Sequence, residues 1–152
     1  MASATALTGN NDGDDLGELA DIVGFHIRLA HVAVYRHFTE TFSDIDLTQK
    51  QVSVLWLVDD HPAISQIAVG QRLQMDRATT MTIVNRLQER GYLRRERSTS
   101  DARKQALYLT KPGTEALATA KGCIAEHEAW LKGRFSPDEV KKLVEMLARI
   151  HD

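Results

Sequence analysis

The stretch Asp76-Arg-Ala-Thr-Thr-Met-Thr-Ile-Val-Asn-Arg-Leu-Gln-Glu-Arg-Gly91 decides how the rest of the chain is read. Asp76 suits a helix N-cap, because a short carboxylate can accept from the free N–H groups of the first turn. Gly91 suits the position just past a helix end, where the backbone turns left-handed and a Cβ is penalised. Between them Thr80, Ile83, Val84 and Leu87 recur on one face at helical spacing, leaving Arg77, Ala78, Met81, Thr82, Asn85 and Arg86 on the others. The segment predicts a helix with its apolar stripe inward and a basic, hydroxyl-bearing face outward.

Upstream, Ser65 starts a shorter predicted helix carrying Ile67, Ala68 and Leu73. Downstream, 92–97 and 105–110 are alternating runs either side of a polar tip, 98–104, and predict a β-hairpin. Two short helices followed at once by a basic hairpin describe a winged helix-turn-helix. The second helix has the length to lie in a major groove about 12 Å wide. Arg77, near its start, is placed for a bidentate contact to guanine, and Met81 or Thr82 for a thymine methyl. Ala78 shares that face, while Arg86 and Arg90 sit further along and are expected at phosphates.

The flanks are helical. Apolar residues from Leu19 to Phe38 predict one long first helix over 16–42, followed by a loop at 43–47. Thr48-Gln-Lys-Gln51 is a capping-box pattern opening a second helix, which stops near His61-Pro62. Thr110 can cap a fifth helix with Pro112 in its first turn, and Ser136-Pro-Asp-Glu139 is a strong start for the last. The expected order is α-α-α-α-β-β-α-α, a mainly α fold. Its expected parts are a disordered tail (1–15), an N-terminal helix (16–46), the winged core (47–110) and C-terminal helices (111–152).

The 152-residue chain carries a net charge of −2, which looks unpromising for a nucleic-acid partner. The charges are segregated, however. Residues 71–104 hold nine bases against four acids, whereas 1–21 hold five acids and no Lys or Arg. A local basic patch acts through its local field. On charge alone a solvated charged face is the favoured explanation.

No apolar run approaches the ~20 residues of a membrane span. The start lacks the basic and apolar regions of a secretory signal, and the lone Cys123 has no partner for a disulfide, so a cytoplasmic protein is expected. The six histidines show no HxxxH pair or Cys/His cluster, and there is no phosphate loop or nucleophile elbow. Neither metal, cofactor nor enzymatic activity is expected.

From Leu16 onward the chain resembles the MarR family of transcription regulators. The residues carrying the likeness are Leu47-Thr48, Asp76-Arg-Ala-Thr-Thr-Met-Thr82, Arg86-Leu-Gln-Glu-Arg-Gly91, Ser100-Asp-Ala-Arg-Lys104, Leu109-Thr110 and Gly113. It departs at Thr82, where many members carry a base. The resemblance implies a repressor binding a pseudo-palindromic duplex as a homodimer. It implies that Arg103, with Lys104 beside it on the wing, meets DNA, Arg103 entering the minor groove while Asp101 braces the wing. It implies a two-fold interface among the first and last two helices, for which Leu16, Leu19, Ile22, Leu143, Leu147 and Ile150 are candidates. It further implies release by a small aromatic carboxylate or its coenzyme A thioester, bound between the dimerisation helices and the winged part. His26, Arg28, His31 and Trp56 are the candidate effector contacts. A winged helix serving only as a protein-interaction module is the alternative, which Arg77 together with Arg103 argues against.

Overall fold

The computed structural model describes residues 15–101 and 103–152; apart from Asp15, the tail expected to be disordered lies outside them. The elements are a 3₁₀ turn (Gly17–Asp21), α1 (Val23–Thr41), α2 (Gln49–Asp60), α3 (Gln66–Arg72), α4 (Arg77–Glu89), β1 (Leu93–Arg97), β2 (Gln105–Leu109), α5 (Lys111–Lys132) and α6 (Pro137–His151). The fold is mainly α with one two-stranded antiparallel hairpin, as the sequence predicts. Compactness divides it into two units, Met1–Arg36 and His37–Asp152. No helix among the described residues is long and apolar enough to cross a membrane.

In the first unit the single helix expected from residue 16 is interrupted at Ile22, which is extended. The Ala20 carbonyl would accept from the Gly24 amide in a continuous helix. Here it accepts instead from Nε2–H of His26 at 2.6 Å. Gly24 adds its own reluctance to be helical. Leu19, Ile22 and Val23 are all exposed.

The second unit holds the core. Val54, Leu55 and Val58 of α2 pack with Val84 and Leu87 of α4, Leu93 and Leu107 of the hairpin, and Leu117 and Ala120 of α5. The predicted caps form: Thr48 with Gln51 on α2, Asp76 on α4, Thr110 on α5, and Ser136 with Glu139 on α6. At the end of α4, Gly91 takes φ +78, Gly91 N–H donates to Gln88 O, and Tyr92 N–H donates to Leu87 O at 2.9 Å. That pair of bonds is a Schellman cap, which turns the chain directly into β1. Gln74, in the turn between α3 and α4, has φ +52, and its side-chain amide donates to the His151 carbonyl at 2.9 Å.

The last turn of α1 belongs with this core. Phe38 and Phe42 stack at 4.0 Å, and both are buried. Beside them His37 lies flat on Trp130, at 3.9 Å and 8° between planes. His37 also shares a hydrogen bond with buried His127, Nδ1 to Nδ1 at 2.8 Å. One ring must donate and the other accept, so the pair cannot hold a proton on both of these nitrogens. Burial, together with the field of His37, pushes the His127 pKa below the ordinary 6.5.

Two predictions follow from the packing. A Cβ on Gly113 would be driven into the Tyr92 carbonyl, whereas one on Gly122, in the same helix, meets nothing. Gly113→Ala should therefore destabilise by about 3 kcal/mol through overpacking, and Gly122→Ala should stabilise by about 0.5–1 kcal/mol through helix propensity. Urea unfolding at one fixed protomer concentration measures both. The unfolded chain binds a proton at His127 near pH 6.5 and the folded chain only at lower pH. Stability should then fall as pH drops through 6.5, and His127→Gln should flatten that slope between about pH 8 and pH 5.

Candidate nucleic-acid interface

The hairpin is anchored to the start of α3 as well as to the end of α4. Ala63 N–H donates to Leu107 O at 3.0 Å, Leu107 N–H donates to Ile64 O at 2.9 Å, and Ser65 bridges Ala106. Ser65 is also the N-cap of α3, its hydroxyl accepting from Ala68 N–H at 3.1 Å. One residue thus ends the third extended segment and begins the first helix of the helix-turn-helix. This junction places 103–105 of the hairpin beside 65–67 of α3, with the start of α4 completing the arc. The result is a concavity of about 440 Å³ whose lining includes Gln66, Ile67, Arg77, Thr80, Arg103 and Lys104.

Asp76 sets the first turn of α4. Its carboxylate accepts from Thr79 N–H at 2.7 Å and from the Thr79 hydroxyl at 3.0 Å. The backbone bond, reinforced by the hydroxyl, holds its pKa below the usual carboxylate range. From that fixed start, Thr80, Val84 and Leu87 are buried, Ile83 is half-buried, and Arg77, Ala78, Met81, Thr82 and Arg86 are exposed. The Thr82 hydroxyl donates back to the Ala78 carbonyl at 3.0 Å, leaving its methyl and an acceptor lone pair outward. Arg77, Arg86, Arg103 and Lys104 have no salt-bridge partner among the described residues. Their positive charge is therefore not neutralised among the described residues.

Arg90 differs. The sequence places it at a phosphate, but its guanidinium donates to the Asp46 carbonyl, ion-pairs with the Asp46 carboxylate at 3.8 Å, and lies 4.9 Å from the Tyr92 ring centre. Arg90 is the C-cap of α4, at the end where the chain turns back toward 46, and these contacts hold it there. Asp101 accepts from Arg103 N–H at 3.0 Å, and its carbonyl accepts from Lys104 N–H at 3.0 Å. Both bonds shape the tip that carries Arg103.

Within the first unit His26 is bonded to Ala20, Arg28 lies 5.2 Å from the Phe25 ring centre, and the His31 and Tyr35 rings stack at 6.3 Å. In the second unit Trp56 is half-buried under the Lys121 ammonium, 4.7 Å from its ring centre. Cys123 is half-buried against the core, and no three His, Cys, Asp or Glu side chains among the described residues are grouped to hold a metal ion.

Sequence reasoning missed Gln66, Ile67, Gln71 and Gln105, which line the concavity. Ile67, expected on the apolar face of α3, is 56% exposed. The available signal was position: a polar residue directly after an N-cap in the first helix of such a motif faces the same side as the wing.

A model of the MarR family matches residues 45–104, from the loop before α2 to the wing tip. A putative transcriptional regulatory protein for the hcr operon of Thauera aromatica is 29% identical over 136 residues, covering 89% of this chain and 82% of that protein. The transcriptional repressor CouR, solved on a 23-mer DNA duplex, is 34% identical with a TM-score of 0.84, covering 90% of this chain and 96% of CouR. CouR solved with p-coumaroyl-CoA is 31% identical over the same shares, with a TM-score of 0.80. With unpaired bases on the outer face of α4 and on the wing, and with these likenesses along most of its length, the chain belongs to the MarR family of DNA-binding transcription regulators.

Proposed function

We propose that the protein is a ligand-relieved repressor that grips a pseudo-palindromic duplex as a homodimer. The observation carrying this reading is that Arg77 and Arg103, 26 positions apart in sequence, line one concavity without a salt-bridge partner among the described residues. A duplex backbone laid along that concavity brings α4 to the major groove and the wing tip to the adjacent minor groove. Arg77 reads a guanine edge, with Ala78, Met81 and Thr82 against neighbouring bases. Arg103 enters the minor groove, where negative potential deepens as the groove narrows, and Lys104 and Arg86 meet phosphates. Asp101 acts through the tip it shapes.

Pairing of two copies is supported by exposed apolar surface. Leu16, Leu19 and Ile22 of the first unit, and Leu147 and Ile150 of α6, are all more than a third exposed, as is Val144, while the candidate Leu143 is half-buried. Apolar stripes of this kind mark association surfaces. Two copies related by a two-fold axis present two α4 helices to half-sites about one helical turn apart.

Relief by an aromatic acid or its coenzyme A thioester is supported by the structure of CouR with p-coumaroyl-CoA. A ligand of that class lowers DNA affinity only by favouring a conformation that fits the duplex poorly. His26, Arg28, His31 and Trp56 are the residues proposed to contact it.

The DNA contacts are tested on a short duplex selected by the wild-type protein from a randomised pool. Arg103→Ala should weaken binding to every sequence, most where the minor groove is narrow, and should lower the salt slope by about one. Arg77→Ala should instead relax preference at one base pair, at a cost of about 1–3 kcal/mol. Wild-type affinity in both variants would refute the assignment. For the effector, a thermal-shift screen of hydroxycinnamic and hydroxybenzoic acids and their thioesters should find a stabilising compound. At a hundredfold excess over its Kd it adds about 2.7 kcal/mol. The same compound should release the selected duplex, and alanine at one or more of the four proposed contacts should abolish the shift.

A further inference from the structure

Arg95 counts among the bases of the wing, yet it does not face solvent as a base should. On β1 it pairs with Leu107, so it lies on the same hairpin face as fully buried Leu107 and Leu93. Its Nη2 donates to Oε1 of Gln66 on α3 at 3.1 Å and to Oδ1 of Asn85 on α4 at 2.5 Å. Its Nε is buried without a hydrogen-bond partner. No carboxylate pairs with it among the described residues. A single guanidinium thus ties β1, α3 and α4 together and retains its full charge beside the concavity.

A guanidinium only donates, so both amide oxygens must turn toward it. The consequence falls on Gln66, which lines the concavity. With Oε1 engaged by Arg95, the Nε2 hydrogens are the uncommitted donors of this side chain, and they make no hydrogen bond among the described residues. The familiar bidentate reading of adenine by glutamine needs both the oxygen and the nitrogen, and here one lone pair of that oxygen is already committed to Arg95. What remains is a fixed donor pair backed by an unneutralised cation, which suits an anionic acceptor.

We propose that Gln66 contacts a phosphate oxygen of the duplex, and that Arg95 is the positioning residue that aims its amide. This rests on the concavity being the DNA surface. It places a sequence-independent contact on α3, the helix that crosses the backbone in this motif.

The test measures affinity for the selected duplex, its salt slope and the melting temperature for Gln66→Met, Arg95→Met and the double variant, beside Arg77→Ala and Arg103→Ala. Gln66→Met should lose about tenfold in affinity on every sequence, with wild-type melting temperature and an unchanged salt slope, because a neutral contact releases no counterion. Arg95→Met should lose a similar factor, again with an unchanged slope, and the double variant should be no weaker than either single one. The inference is overturned if Gln66→Met binds as wild type or if the two losses multiply. It is overturned equally if Arg95→Met lowers the slope by about one, which would make Arg95 itself the phosphate contact. Should Arg95→Met fail to fold, the Gln66→Met result decides alone. If Arg77→Ala and Arg103→Ala lose affinity while Gln66→Met does not, only this inference falls. If all three bind as wild type, the concavity is not the DNA surface, and the reading beneath it falls too.

Discussion

Leu107 holds the second unit together from both directions. Its backbone N–H and C=O are taken by Ile64 and Ala63, while its side chain is fully buried in the core. Removing a strand edge from solvent while inserting a large apolar side chain satisfies polar and apolar requirements at one residue. Besides this junction the hairpin is fastened through Tyr92 at one end, Thr110 at the other and the Arg95 side chain between them. Through the Leu107 junction the wing, α3 and α4 share a common origin, and every feature of the concavity inherits its geometry from there.

Most of the second unit was legible because its punctuation is local. A cap is a contract between residues three apart, so Thr48 with Gln51, Asp76 with Thr79, and Ser136 with Glu139 can be read without knowing what surrounds them. The Schellman turn at Gly91 is read the same way. What the sequence does not show is mostly contacts that close over distance in the chain. Arg95 meets Gln66 across 29 positions, Arg90 meets Asp46 across 44, and His37 meets His127 across 90. Periodicity also misled at Ile22, where a histidine side chain takes the carbonyl that a continuing helix would need.

Charge shows the same limit. The nine bases of 71–104 look alike in a sequence, but the fold sorts them. Arg94 pairs with Glu96 and lies over the Tyr108 ring, Arg95 binds two amides, and Arg90 pairs with Asp46. The field available to an anion comes chiefly from those that keep their heads in solvent without a counter-charge. Among the described residues Arg72, Arg77, Arg86, Arg97, Arg103 and Lys104 meet that condition, and all but Arg72, at the end of α3, belong to the outer face of α4 or to the wing. Net charge, summed over the chain, hides this sorting twice, once under distant acids and again under bases already occupied.

Gln74 carries two obligations that pull against each other. Its backbone sits in a region where glycine would rest without steric penalty, a relief of about 1 kcal/mol for most side chains. Its amide, however, moors the far end of α6. A substitution chosen to ease the turn would cast the C-terminal helix adrift. The same position that introduces α4 therefore also holds the last turn of α6, so the geometry at the start of α4 and the seating of that turn must be altered together.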